Sequence, residues 1–299
     1  MQRILGIDIG GTKIKYGIYD VLGREISSNI IDTESQNKEK MLKLLNDIII
    51  NSGEILGVGI SLPGSIDEIT GILTNAGNIP SLQGLRIKEE IEKRTKKNVE
   101  IENDANCVAL AEKWIGNGID SKNFICITIG TAIGGAIVIN GELYKGGNNI
   151  SGEFGFMIID DPFNAFNTKD YGNLASTREL IVMVSKELNI PNDKINGQDI
   201  FNMINENNEK IINIYKKWLR YLAVGIRNLF FILGPEKILI GGGISIQNKL
   251  LDDLNEEIKL IVPYEYIDLI KIQVCKFNNN AGKIGAVYNF LLKRKLLNR

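Results

Sequence analysis

From Ile4 to Ile9 runs an apolar stretch with one acid, Asp8, and beyond Gly10-Gly11 apolar and polar side chains alternate with the period of a β-strand, with a turn at Val21–Arg24. Three strands are predicted there, Arg3–Ile9, Ile14–Tyr19 and Glu25–Asp32, joined by tight turns. Helical spacing follows over Lys38–Asn51, then a largely apolar strand at Leu56–Leu62. A helix over Arg86–Lys97, a short strand Val99–Glu102 and a helix Ala105–Gly116 complete this stretch, with Asn103 or Asp104 as the helix cap.

The opening pattern then recurs. Asn123–Gly147, "NFICITIGTAIGGAIVINGELYKGG", is strand, glycine turn, strand, Asn-Gly turn, strand. The rest is mainly helical: Ser176–Leu188, Gly197–Asn207 and the long Glu209–Leu233. After these come a strand Lys237–Ile240, a helix around Gln247–Ile261, a strand Ile270–Cys275 and a terminal helix Ala281–Leu297. A strand–loop–strand–turn–strand unit that occurs twice predicts two domains of similar build. Alternating strands and helices predict an α/β fold with mixed sheets.

Three glycine-rich turns each follow an apolar strand: Gly10-Gly11, Gly130–Gly135 and Gly241–Gly243. Glycine lets backbone N–H groups approach anionic oxygens closely. The Walker spacing is absent, because Thr12-Lys13 follows only two glycines. A dinucleotide fingerprint needs a helix next, whereas Ile14, Tyr16 and Ile18 keep the period of a strand. The first turn is therefore the tip of a β-hairpin. Alone, such a tip is an ordinary turn; a second glycine hairpin raises the alternative that two tips facing one another hold a polyphosphate. "KILIGGGISIQNKLL" passes from strand through glycines to helix. It suits a base and ribose lying over a helix start, and equally any tight strand-to-helix turn.

Composition narrows the classes. The 299 residues are 44% hydrophobic and 24% charged with a formal net charge of −1, so no general attraction to nucleic acid or an anionic membrane is expected. No apolar stretch approaches the roughly 20 residues of a membrane span. The strand pattern starts at once, leaving no room for a signal peptide, and a cytoplasmic protein is expected. Cys107, Cys126 and Cys275 lie far apart in apolar segments and read as buried free thiols. Histidine is absent, so acid–base chemistry near neutral pH must use a carboxylate, a lysine or a tyrosine.

Two acidic positions stand out. Asp8 interrupts an apolar strand, where a charge costs several kcal/mol unless paired; beside a phosphate loop it suits the waters of a Mg2+ ion, and otherwise it caps the glycine turn. Asn103-Asp104 lies between a strand and a helix. Either residue suits an N-cap; facing a cleft, Asp104 could accept a proton from a substrate hydroxyl while Asn103 orients a sugar hydroxyl.

In this order "GIDIGGTKIKYGIYD", "GVGISLPGSID", "ENDANCVALAE", "ITIGTAIGGAIVINGELYKGGN", "SGEFGF" and "ILIGGGIS" span nearly the whole chain. Together they resemble the ROK family of repressors, open reading frames and sugar kinases. The resemblance implies a two-domain actin/hexokinase-like (ribonuclease H-like) ATPase fold: 1–118 plus 281–299 would carry the first phosphate loop and the catalytic Asp, and 119–280 the second loop and an adenosine turn. It implies Asp104 as the base that deprotonates the sugar hydroxyl attacking the γ-phosphate of ATP. It further implies Gly64, Ser65, Asn78, Asn103 and Glu153 at the sugar; Gly10, Gly11, Thr12 and Lys13 at one phosphate loop; Thr131 and Gly134 at the other; Gly242 and Gly243 at the adenosine. ATP and Mg2+, with Asp8 acting through water, are the implied cofactors, and a homodimer the implied assembly.

This sequence departs from the family in its zinc-binding segments. Most ROK members carry a zinc-binding histidine after G-E-x-G and a cysteine knuckle downstream; here Phe156 takes the histidine's place and 159–180 holds no cysteine, so no family-type zinc site is expected. That pattern resembles zinc-less N-acetylmannosamine kinases, so the expected reaction is ATP-dependent conversion of N-acetylmannosamine to its 6-phosphate, with a glucose- or fructose-type hexokinase as the alternative. A sugar-responsive repressor is disfavoured, because its helix-turn-helix has no place ahead of a strand that begins at Arg3.

Overall fold

The chain begins with three strands, β1 (Arg3–Ile9), β2 (Lys13–Asp20) and β3 (Glu25–Asp32), then helix α1 (Lys38–Asn51) and strand β4 (Gly57–Leu62). A small hairpin of β5 (Ser65–Ile66) and β6 (Leu73–Asn75) precedes helix α2 (Ile87–Thr95), strand β7 (Val99–Asn103) and helix α3 (Asp104–Ile115). Three further strands follow, β8 (Phe124–Ile129), β9 (Ile133–Ile139) and β10 (Glu142–Tyr144), and then the short strands β11 (Ile158–Asp160) and β12 (Lys169–Asp170). Helices α4 (Tyr171–Ala175), α5 (Thr177–Leu188), α6 (Gly197–Asn205) and α7 (Glu209–Leu233) lead to strand β13 (Lys237–Gly241). Helix α8 (Asn248–Ile261), strand β14 (Ile272–Val274) and helix α9 (Ala281–Lys293) complete it. This computed structural model describes residues 2–67, 70–160 and 169–297.

The repeat seen in the sequence is a repeat of topology. One five-stranded sheet has the order β3-β2-β1-β4-β7 and the other β10-β9-β8-β13-β14. In each, an antiparallel pair joined by a glycine turn is extended by two parallel strands: β1 pairs antiparallel with β2 and parallel with β4, and β8 does the same with β9 and β13. Parallel strands covered on both faces read as continuous apolar runs, and all six residues of β4 are buried. Contacts divide the chain into one unit of Met1–Asp120, Leu143–Ser151 and Asn279–Arg299, and a second of Ser121–Glu142 and Gly152–Asn278. The expected boundaries put the whole of 119–280 in one domain; here Leu143–Ser151 groups with the first unit.

In the first unit, Met41, Leu45 and Ile49 of α1 pack with Leu5, Ile7 and Ile60 on one face of the sheet. On the other face α9 lies directly on the strands. A Cβ on Gly59 would stand 2.0 Å from the Ala286 carbonyl oxygen, so only glycine permits that approach. Helices α3 and α9 cross just as closely, with a Cβ on Gly285 falling 1.8 Å from the Cys107 carbonyl oxygen. In the second unit α7 supplies Trp218, Leu222 and Ile226 to the core. The buried Trp218 indole donates to the Ser176 carbonyl at 2.9 Å and the Tyr171 hydroxyl to the Leu222 carbonyl at 3.0 Å.

Caps explain the helix boundaries. The Asn103, Ser176, Asn196 and Asn208 side chains each accept an N–H from the first turn of α3, α5, α6 and α7, while Gly234, at φ 53°, ends α7. The expected helix 281–297 stops at Lys293, and the expected strand 270–275 is ordered as a strand only over Ile272–Val274. The third glycine turn runs first into a 3-10 turn, Gly243–Ile246, and only then into α8.

The α3–α9 crossing gives a stability prediction. Gly285→Ala is expected to lower unfolding free energy by about 1–3 kcal/mol through overpacking, whereas Gly147→Ala, with nothing within 4 Å of the new methyl group, is expected to be neutral. Urea denaturation of both variants checks this.

Candidate active site

Strands β1, β4 and β7 run parallel, and their registers pair Asp8 with Ser61 and Ser61 with Glu102. One polar row thus crosses three apolar strands near their carboxyl ends, where ligands bind in open α/β sheets. The Ser61 hydroxyl donates to Asp8 Oδ1 at 2.8 Å. Lys15 Nζ lies 4.0 Å from Asp8 Oδ2 and donates to the Asn279 carbonyl at 3.2 Å. Burial pushes the Asp8 carboxyl above its ordinary 3.8, against the opposing pull of Ser61, Lys15 and Lys283. A Cβ on Gly282 would fall 2.4 Å from the Asp8 carboxyl carbon, so the first turn of α9 sits on this carboxylate.

The hairpin beyond Asp8 is tightly turned. Gly10 N–H donates to the Lys13 carbonyl at 3.0 Å, and the Thr33 hydroxyl donates to the Gly10 carbonyl at 2.7 Å. Thr12 and Lys13 are exposed, and Lys13 Nζ pairs with Asp32 at 2.6 Å. An exposed pair of this kind is worth at most about 1 kcal/mol, so a phosphate could displace it. Asn78 lies against the tip, with its Cβ 3.0 Å from where a Cβ on Gly11 would stand.

Asn103 and Asp104 occupy the step from β7 into α3. Asn103 Oδ1 accepts the Asn106 N–H at 3.1 Å, and its Nδ2 donates to the Gly64 carbonyl at 3.0 Å. Gly64, at φ 101°, passes so close to β6 that a Cβ would lie 1.7 Å from the Asn75 carbonyl oxygen. Asp104 is exposed at the first position of α3, and its Oδ1 accepts the Ala105 N–H at 2.8 Å. The first unit therefore brings Gly64, Asn103 and Asp104 together, with Ser65 next along the chain, and sets Asn78 on Gly11.

The second unit holds the remaining expected residues. Gly130 N–H donates to the Ala132 carbonyl at 3.0 Å, while the Gly130 carbonyl accepts Thr177 N–H at 2.9 Å and so docks α5 on this hairpin. Gly242, at φ 92°, crosses β8 where a Cβ would fall 2.2 Å from the Ile129 carbonyl oxygen. Between these turns opens a cleft of about 540 Å3, lined by Gly130, Thr131, Arg178, Ile181, Gly243 and Ile246 among others. A cleft of this size with Ile181, Ile244 and Ile246 on its walls and glycines at its turns suits a nucleotide. Gly134 lies within β9, paired with Thr128, and neither it nor Glu153 is among the residues lining that cleft. Glu153 opens the turn Phe154–Phe156, and desolvation pushes its carboxyl above the ordinary value although it stands at the surface. Phe156 is 74% exposed. Part of the cysteine-free segment, 161–168, lies outside the described residues.

Sequence reasoning missed Ser61, Glu102 and Arg178. The first two carry the signal that exposed Asp8, a polar residue inside a strand; Arg178, in the first turn of the predicted helix Ser176–Leu188, carries none.

A sequence model of the ROK family matches residues 4–293. Among curated proteins, a β-glucoside kinase of Listeria monocytogenes is 33% identical over 97% of this chain and 98% of its own. A solved structure of a candidate N-acetylmannosamine kinase from Listeria monocytogenes superposes with a TM-score of 0.90 at 31% identity, covering 98% of this chain and all, 100%, of that one. A ROK family protein from Streptococcus pneumoniae in complex with sucrose also gives 0.90, at 30% identity over 99% of this chain and 100% of its own.

Asp8 yields a pH-linked prediction. A folded-state pKa above the unfolded 3.8 means that the native protein holds this proton more tightly, so stability falls as pH rises through the interval that starts near 3.8. Asp8→Asn removes that loss. The variant is expected to melt above the wild type at pH 7 and to lose this advantage below pH 3.8, as thermal melts across pH will show.

Proposed function

The chain belongs to the ROK family, and on that premise we propose that it is an ATP-dependent sugar kinase whose preferred acceptor is a β-glucoside, phosphorylated at its 6-hydroxyl. The observation that carries the kinase reading is the Asn103-Asp104 step: a carboxylate exposed at the carboxyl end of a parallel strand, beside an amide already tied to Gly64. Asp104 accepts the hydroxyl proton as the sugar oxygen attacks the γ-phosphorus. The bond from that phosphorus to the bridging oxygen breaks, and ADP leaves. Asn103, Gly64, Ser65, Asn78 and Glu153 orient the sugar, while the loop Gly10–Lys13 and the second hairpin, with Thr131 at its tip and Gly134 in β9, steady phosphate oxygens. Gly242 and Gly243 border the adenosine cleft. Positioning and charge stabilisation dominate such transfers, and general base catalysis adds about 10²–10⁴-fold.

Asp8 fits a hydrated Mg2+ ion: Ser61, Lys15 and Lys283 do not fully offset the desolvation of its carboxylate, and a divalent cation nearby would offset more of it. When bound, Mg2+ supplies charge neutralisation on the phosphates. For the acceptor, support comes from the 33% identical β-glucoside kinase and from the exposed Phe156 near Glu153, an apolar ring on which an aglycone would pack. N-acetylmannosamine is the second reading, favoured by the structural neighbour of that description.

Measuring ADP release with methyl β-glucoside, glucose and N-acetylmannosamine separates these readings. The glucoside is expected to give a kcat/KM at least about tenfold above either sugar, equal to about 1.4 kcal/mol. Preference for N-acetylmannosamine would transfer the assignment to the second reading. Asp104→Asn is expected to cut kcat by about 10²–10⁴-fold while sugar still raises the melting temperature; wild-type turnover in this variant refutes the assigned base.

A further inference from the structure

Glu102 is a carboxylate only 4% exposed, one residue ahead of Asn103 in a strand that otherwise reads as apolar at its inward positions. Its Oε1 accepts the Asn103 backbone N–H at 3.1 Å and the Asn106 side-chain amide at 3.0 Å. Its Oε2 pairs with Lys145 Nζ at 2.7 Å. Both hydrogen bonds go to the turn that presents Asp104. The cation comes from a segment distant in sequence, Leu143–Ser151, that belongs to the same unit.

That segment is shaped to stay in place. Gly146 has φ 68°, and the Ser151 N–H donates back to the Lys145 carbonyl at 3.3 Å. At its far end the Asn149 amide reaches the Ile66 carbonyl at 3.5 Å, on the strand that also holds Ser65. Contacts therefore form a circuit: Lys145 to Glu102, Glu102 to Asn103, Asn103 to Gly64, along the chain to Ile66, and from Ile66 to Asn149.

We propose that Lys145 is a positioning residue for phosphoryl transfer: by pairing with Glu102 it holds the Asn103-Asp104 turn and docks the Leu143–Ser151 strap against the hairpin of Gly64 and Ser65. The proposal rests on the kinase reading above. A buried ion pair is an uneconomical way to add stability, because neutral groups of similar shape do as well, whereas removing one partner strands a buried charge. What the pair supplies here is direction. The anion orients two donors of one helix cap, and the cation brings the strap to it.

Steady-state kinetics of wild type, Lys145→Met, Lys145→Arg and the Glu102→Gln/Lys145→Met double variant test it, with melting temperatures recorded in parallel. Lys145→Met is expected to lose about 10²-fold in kcat, the scale of a misplaced reacting group, with the KM for ATP unchanged. The double variant keeps an acceptor oxygen for Asn103 and Asn106 without a stranded charge, and is expected to return to within about tenfold of wild type. Lys145→Arg is expected to stay near wild type. Wild-type kinetics in Lys145→Met, or a double variant no better than the single one, overturns the proposal and leaves the kinase reading standing. A wild-type protein that turns over no sugar overturns the kinase reading, and the proposal with it.

Discussion

The first unit depends on one contact, the direct seating of helix α9 on strands β1 and β4. No side chain intervenes at Gly6 or Gly59, where a Cβ would meet α9 backbone oxygens at 2.6 and 2.0 Å. Interiors are too densely packed to absorb even one methyl group at such a point. The seating has two consequences at the site. The opening turn of α9 is brought onto Asp8 at Gly282, and it carries Lys283, whose charge opposes the burial that disfavours the anion. Helix α3 is brought across α9 at Gly285, which fixes the axis that begins with Asp104. Two carboxylates 96 residues apart in sequence (104 − 8) thus take their places from the same glycine-lined surface.

Asn103 also dissolves an apparent choice. Capping a helix and serving a substrate look like rival uses of an Asn-Asp pair, yet the structure divides them by atom. Asn103 Oδ1 caps the Asn106 N–H, its Nδ2 ties down Gly64, and the backbone N–H goes to Glu102. These bonds hold the turn, and the second N–H of Nδ2 is the donor that a sugar hydroxyl would take. Asp104, one position on, stands exposed with its Oδ1 on its neighbour's N–H. The cap is what makes a carboxylate at that spot rigid, and rigidity is what a positioned base requires.

Much of this was legible in the sequence, because it is local. Alternation after Gly11, and a repeat of the strand–glycine turn–strand order around Gly130, mark hairpins, and both five-stranded sheets carry their glycine tip where that pattern puts it. The long α7 matches its apolar periodicity from Glu209 to Leu233. What stayed hidden depends on residues remote in sequence. Gly59 reads as an ordinary strand glycine until α9, more than 200 residues later, is laid upon it. Glu102 reads as half of a polar pair with Glu100 until Lys145 arrives from another segment. Leu143–Ser151 follows a predicted strand without a break, so nothing local reveals that it packs with the first unit.

The turn after Glu153 shows how a segment without cysteine or histidine ligands is nevertheless held. Phe154 is buried, and a Cβ on Gly135 would fall 2.1 Å from its ring, so strand β9 is hollowed to receive it. Gly155 packs as closely on the Ile133 carbonyl, where a Cβ would stand at 2.4 Å. The Tyr171 N–H then donates to the Met157 carbonyl at 2.7 Å, and the buried Tyr171 hydroxyl is tied to α7 at Leu222. Asp160 closes the far side with Lys169 and the Tyr221 hydroxyl. An aromatic anchor and backbone hydrogen bonds need no fourth soft ligand, and they fix the backbone on either side of Phe156 while leaving its ring in solvent. Packing thus leaves the Phe156 side chain open to make a contact of its own.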